Sequence, residues 1–157
     1  MIRLAIAGRL PAGVDATKLR TAVRLLYKQT GFTLSGEIGL RFVTKAKSRE
    51  LNRTYAGHDY PTDVLSFDYE AAHRPAIRRH VLPLGDVVIC TSIACKQARA
   101  HDITLQQEVA LLTVHGAMHV LGFDHHSSTA RAGFRRLQNA IMETLGSPAR
   151  EYFDDYA

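Results

Sequence analysis

Apolar and polar positions recur along this chain with two periods, and the places where one period gives way to the other mark its elements. Residues 2–7 (Ile-Arg-Leu-Ala-Ile-Ala) predict a short first strand. Asp15 then stands as an N-cap for a helix running to about residue 29, with Leu19, Val23 and Leu26 on one stripe and Gly31 just past its end. Residues 37–43 alternate, with Ile38, Leu40 and Phe42 on one face, which predicts a half-buried strand. Thr44 can cap a short helix over about 46–54, with Leu51 and Tyr55 turned inward. Gly57 and Pro61 break regular structure before a strand that begins Val64, Leu65, Phe67. Residues 84–90 (Leu-Gly-Asp-Val-Val-Ile-Cys) are nearly continuous in apolar character, as in a strand buried on both faces.

The second half reads as helical. Residues 92–100 form one helix, and Thr104 caps a longer one whose buried side is built by Leu105, Val109, Leu112 and Val114. Ser128 caps a last helix with Phe134, Leu137, Ile141 and Leu145 in register, stopped by Gly146-Ser-Pro148. The tail 149–157, with Glu151, Asp154 and Asp155, is expected to be exposed.

At 157 residues the chain suits a single domain spanning 1–157, able to bury roughly 70% of its unfolded surface without disulfide or metal staples. No segment approaches the ~20 apolar residues needed to span a bilayer. Arg9 and Pro11 cut the first apolar run too short for a signal-peptide core, so a cytoplasmic protein with no membrane partner is expected. Cys90 and Cys95 match no zinc or redox spacing and read as buried thiols. A net charge of +5 suits either a polyanionic partner or simple solubility. The basic stretch 73–80, with Arg74, Arg78 and Arg79, reads equally as a phosphate-contacting patch or as a solvated loop.

The chemistry concentrates in residues 115–125, His-Gly-Ala-Met-His-Val-Leu-Gly-Phe-Asp-His. On a helix His115 and His119 lie one turn apart on the same face. Gly122 can end that helix in a left-handed conformation, so the chain turns back and His125 completes a third ligand position. Three imidazoles around one divalent ion, with Zn²⁺ the best match, leave a fourth tetrahedral position open for water. His126 competes with His125, but the spacing from Gly122 favours His125. The metzincin protease pattern shares this spacing and needs a glutamate where Gly116 stands. Peptide hydrolysis thereby loses its general base. A glycine inside a helix costs about 1 kcal/mol against alanine, which implies close packing at 116 or a need to keep the ion's open position clear.

These eleven residues resemble the signature of the YbeY family, metal-dependent bacterial endoribonucleases of ribosomal RNA maturation. A second stretch resembles it too, through Asn52, Tyr55, Gly57, Thr62 and the run Asp63–Phe67, and a third through Gly85-Asp86. Ala56 stands where the family carries an arginine, so either Arg53 supplies that charge from the same side or the contact is lacking. The resemblance spans about residues 35–145. It implies an α+β fold: a small mixed sheet of about four strands packed by helices, with a zincin-like helix bearing the metal. It also implies 16S ribosomal RNA 3′-end trimming and late ribosome assembly, with the small subunit and an assembly GTPase as partners.

His115, His119 and His125 are thus the candidate metal ligands. Asp124 and Asp86 are candidates to orient a ligand ring, Asp86 equally a plain strand-opening residue. Arg53, His58, Arg74, Arg78 and Arg79 are candidate RNA contacts, and the RNA mode expected is single-stranded. The competing readings are an assembly factor whose metal is structural and a metallo-hydrolase of another substrate.

Overall fold

The computed structural model describes residues 1–69, 81–148 and 150. The basic stretch with Arg74, Arg78 and Arg79 lies outside these, as does all of the tail but Arg150. Four strands, β1 (Ile2–Ala7), β2 (Gly36–Val43), β3 (Val64–Asp68) and β4 (Pro83–Cys90), form one sheet in the order β1-β2-β4-β3. The first three in that order run parallel, and β3 pairs antiparallel with β4 at the edge. Among the described residues five helices accompany the sheet: α1 (Ala16–Thr30), α2 (Lys45–Ala56), α3 (Thr91–Ala100), α4 (Leu105–Val120) and α5 (Ser128–Thr144). This is the expected α+β fold with a four-stranded mixed sheet. No helix among the described residues is long and apolar enough to cross a membrane.

Helix α4 is the core of the molecule. Its N-cap Thr104 and Gln107 exchange hydrogen bonds in a capping box. Every residue from Glu108 to Met118 is buried, because β3 and β4 cover one side while α1, α3 and α5 pack around the rest. A helix apolar on nearly all faces belongs in such a position. The single stripe expected from Leu105, Val109, Leu112 and Val114 therefore understates it. Strand β4 is buried on both faces from Val87 to Cys90, as its continuous apolar run predicts.

Four local expectations need correcting. Tyr55 is 68% exposed rather than inward, because the end of α2 overhangs the sheet edge, where its ring meets Phe67 of β3 edge-on. The cap of α5 is Ser127, whose hydroxyl accepts from the Ala130 N–H, and Ser128 is already helical. Cys95 is half-buried, since it falls beside rather than on the α3 stripe of Ala94 and Ala98; both cysteines are free thiols. Arg150 is not loose: its guanidinium donates to the fully buried carboxylate of Glu108, and its side chain is only 15% exposed.

Candidate metal centre

The C-terminal half of α4 delivers two imidazoles and its end delivers the third. Leu121 closes the helix, Gly122 takes φ +89°, and the Gly122 and Phe123 N–H groups donate back to the His119 and Met118 carbonyls. That pairing is a Schellman stop. It folds 123–126 back over the helix end and buries His125 to 2% exposure. One ligand nitrogen from each of His115, His119 and His125 then lies within 4.8 Å of the others. His126 is exposed at the rim, its N–H donating to the Asp124 carboxylate.

Phe134 on α5 lies beneath all three rings, with ring centroids 5.0, 5.1 and 5.2 Å from those of His115, His119 and His125. This apolar floor, 2% exposed, keeps water from the rear of the cluster. Burial, reinforced by the neighbouring rings, lowers the His115 pKa to about 3. Burial and the charges of His125 and His126 lower that of His119 to about 4. Both rings are consequently neutral at pH 7, with lone pairs available to an ion.

A second contact decides which nitrogen of His115 faces the cluster. Its Nδ1 lies 2.9 Å from the Gln138 amide oxygen, which can only accept, so Nδ1 carries the proton and Nε2 the lone pair. That Nε2 lies 3.2 Å from Nε2 of His119. Two imidazoles bound to zinc at ~2.0–2.1 Å with tetrahedral spread sit roughly 3.3 Å apart, so the His115 and His119 donors fit a zinc-sized ion, with the third donor within 4.8 Å of both. Gln138 and Phe134 escape a reading of the sequence because both sit on an amphipathic stripe of α5 that reads as ordinary core.

The two aspartates proposed to orient a ring are placed differently. Asp124 is exposed, and its carboxylate accepts from the His126 N–H. The Asp86 carboxylate accepts from the Tyr69 hydroxyl, and burial together with that bond pushes the tyrosine up to about 12. Gln138 orients the His115 ring, and the Phe123 backbone hydrogen-bonds that of His119.

The cluster opens into a cavity of about 390 Å³ between β3 (Val64, Leu65, Ser66, Asp68) and the turn Gly122–Asp124. Gly116 makes this arrangement possible by packing. A Cβ there would come within 2.7 Å of Val87 and 3.1 Å of the Ser66 hydroxyl, so the absent side chain lets α4 lie against the sheet. The 52–63 segment holds β3 in place: Asn52 donates to the Tyr60 carbonyl, Ser48 and Thr62 exchange hydrogen bonds, and Asp63 accepts from the Val64 N–H. Arg53 is exposed, with a guanidinium nitrogen 3.8 Å from the Asp59 carboxylate, and His58 stacks on Tyr60 at 5.4 Å.

The chain is similar to known proteins over most of its length. A sequence profile described as Endoribonuclease YbeY matches residues 13–146. A protein named Endoribonuclease YbeY from Pelotomaculum thermopropionicum is 39% identical over 141 residues, covering 89% of this chain and 93% of its own. Another of that name, from Alkalilimnicola ehrlichii, is 38% identical over 116 residues, covering 74% and 69%. The solution structure of TM1509 from Thermotoga maritima shares the fold over 99% of both chains, with a TM-score of 0.56 and 22% identity. A capped helix ending in His-x-x-x-His, a Schellman turn that returns a third imidazole, and a family profile covering the whole of that architecture together make this chain a member of the Endoribonuclease YbeY family.

Proposed function

We propose that this protein is a metal-dependent endoribonuclease that cleaves single-stranded RNA, acting in 16S ribosomal RNA 3′-end maturation and in late-stage ribosome assembly and quality control. The small ribosomal subunit and an assembly GTPase are its proposed partners, and the cytoplasm its proposed compartment. The observation that carries the catalytic reading is the open cleft over three converging imidazoles, with glycine where a protease needs its glutamate.

His115, His119 and His125 would hold one divalent ion, and an all-nitrogen donor set of this kind suits Zn²⁺. Because neutral imidazoles leave the ion its full charge, it supplies Lewis-acid stabilisation of the charge that develops on a cleaving phosphodiester. The chain's own groups set the conditions. Gln138 holds His115 in the tautomer that turns Nε2 inward, and Phe134 excludes water from behind the rings. The wall formed by β3 leaves the front of the cluster open to an extended strand. Arg53 and His58, at the end of α2 and just beyond it, are proposed RNA contacts, as are Arg74, Arg78 and Arg79.

The test is cleavage of a 16S RNA 3′ precursor by the wild type and by His119→Ala, each with chelator and with added zinc. Cleavage that follows the metal and vanishes in the variant supports the enzyme reading. Equal cleavage by both proteins contradicts it. Ala56, in place of an arginine, favours a second reading as an assembly factor with a structural metal. That reading takes over if the wild type binds one metal ion and the precursor subunit yet cleaves nothing.

A further inference from the structure

Strand β3 borders the metal cleft and is also the open edge of the sheet, since among the described residues β4 is its only neighbour. Its register decides which main-chain groups remain available. The Cys90 N–H donates to the Asp63 carbonyl at 2.8 Å and the Tyr69 N–H to the Leu84 carbonyl at 2.9 Å. Odd-numbered positions of this segment therefore spend their N–H and C=O groups on β4, through Leu65↔Val88 and Phe67↔Asp86. Ser66 and Asp68 turn theirs outward, along the edge that lines the same cavity as His115 and His119. The Val64 N–H is already taken by the Asp63 carboxylate, which limits the available row to 66 and 68.

We infer that the open edge of β3 at Ser66 and Asp68 holds an unpaired nucleobase by its Watson–Crick edge beside the metal cleft, and that this contact is what excludes duplex RNA. The inference rests on the ribonuclease reading above. The chemistry of the edge favours a base over a phosphate. An outward strand residue displays an acceptor beside its donor, and the exposed carboxylates of Asp68 and Asp124 flank the row. A phosphodiester would meet those oxygens with like charge, whereas each base offers an adjacent donor and acceptor on its pairing edge. In a duplex that edge is occupied by the opposite strand, so paired RNA cannot make the contact. Base identity matters little, because all four bases carry such a pair and can satisfy it in one of two orientations.

The experiment uses a 2′-O-methyl uridine hexamer, which resists cleavage, and the same hexamer carrying 3-methyluracil, which blocks the pairing edge without adding charge. Affinity for the wild-type protein is measured for both, and amide resonances are followed by ¹H–¹⁵N NMR. The methylated hexamer is expected to bind weaker by roughly five- to a hundredfold, the range of a lost bidentate base contact. The unmodified hexamer is expected to shift the Ser66 and Asp68 amides and leave those of Leu65 and Phe67 in place. Asp68→Pro removes an outward donor without touching the β4 ladder and should weaken binding of the unmodified hexamer, while Asp68→Ala should not. Equal affinity for the two hexamers, unmoved Ser66 and Asp68 amides, or amides that respond to an oligopeptide and not to RNA would each overturn the inference. The two readings fail separately. Edge-dependent binding of RNA that is never cleaved sinks only the enzyme, and cleavage indifferent to base methylation sinks only the edge contact.

Discussion

The chain's two longest signature stretches begin on helices α2 and α4, yet the two helices solve opposite problems. Helix α4 is enclosed from Glu108 to Met118, and two of the three candidate ligands, His115 and His119, sit on its C-terminal half. Helix α2 buries only Ser48, Leu51 and Asn52, and its end with Arg53, Tyr55 and Ala56 faces solvent. Groups that hold an ion need fixed tautomers and a dry rear wall, which a surface helix cannot supply. The buried polar residues of α2 pin the loop that leads into β3, and so position the wall of the cleft rather than act in it.

If that division is right, changes on α4 and its partners should be severe and changes at the exposed end of α2 mild. The largest effect is expected for His119→Ala, which removes one of three donors. Metal-dependent RNA cleavage should fall by more than a hundredfold, beyond what loss of a mere orienting partner causes. Next comes Gln138→Leu, which frees the His115 tautomer. Zinc affinity measured by competition with a chelator should drop about 10- to 100-fold while the circular dichroism spectrum is retained. An unchanged affinity would remove Gln138 from the site.

Acid should act on the same buried rings. His115 and His119 have folded-state pKa values of about 3 and about 4, below the ordinary 6.5. As the pH drops from 6.5 to 4, the unfolded chain takes up protons that the folded chain refuses. Stability of the chelator-treated protein should therefore decline through that window and stay level above it, as followed by urea denaturation. A smaller loss is expected for Gly116→Ala. Its Cβ would meet Val87 at 2.7 Å, and overpacking of about 1–3 kcal/mol outweighs about 1 kcal/mol of improved helix propensity. The denaturation midpoint should fall. Tyr55→Ala, at the exposed end of α2, should change stability by no more than about 0.5 kcal/mol.

Much of this molecule can be read from local patterns because its local signals agree with its packing. Asp15, Thr44 and Thr104 cap their helices as their positions imply, and Gly31 and Gly122 end helices in the left-handed conformation. The histidine spacing is legible for the same reason: one helical turn and one stop signal are enough to bring three rings together. What escapes such reading depends on distant contacts. Gln138 meets His115 across 23 positions, and Glu108 meets Arg150 across 42. Tyr55 has the spacing of an inward residue, and only the sheet order, with β3 at the edge, leaves it uncovered. The packing reason for Gly116 likewise needs the sheet, since its contacts are Val87 and Ser66.

His115, His119 and His125 are positioned to hold one divalent ion together. Calorimetric titration of zinc into chelator-stripped protein at neutral pH tests this most directly. One equivalent is expected to bind to the wild type, and none at comparable affinity to His115→Ala, His119→Ala or His125→Ala. Zinc bound equally well by any of these variants, or not bound by the wild type, would contradict it.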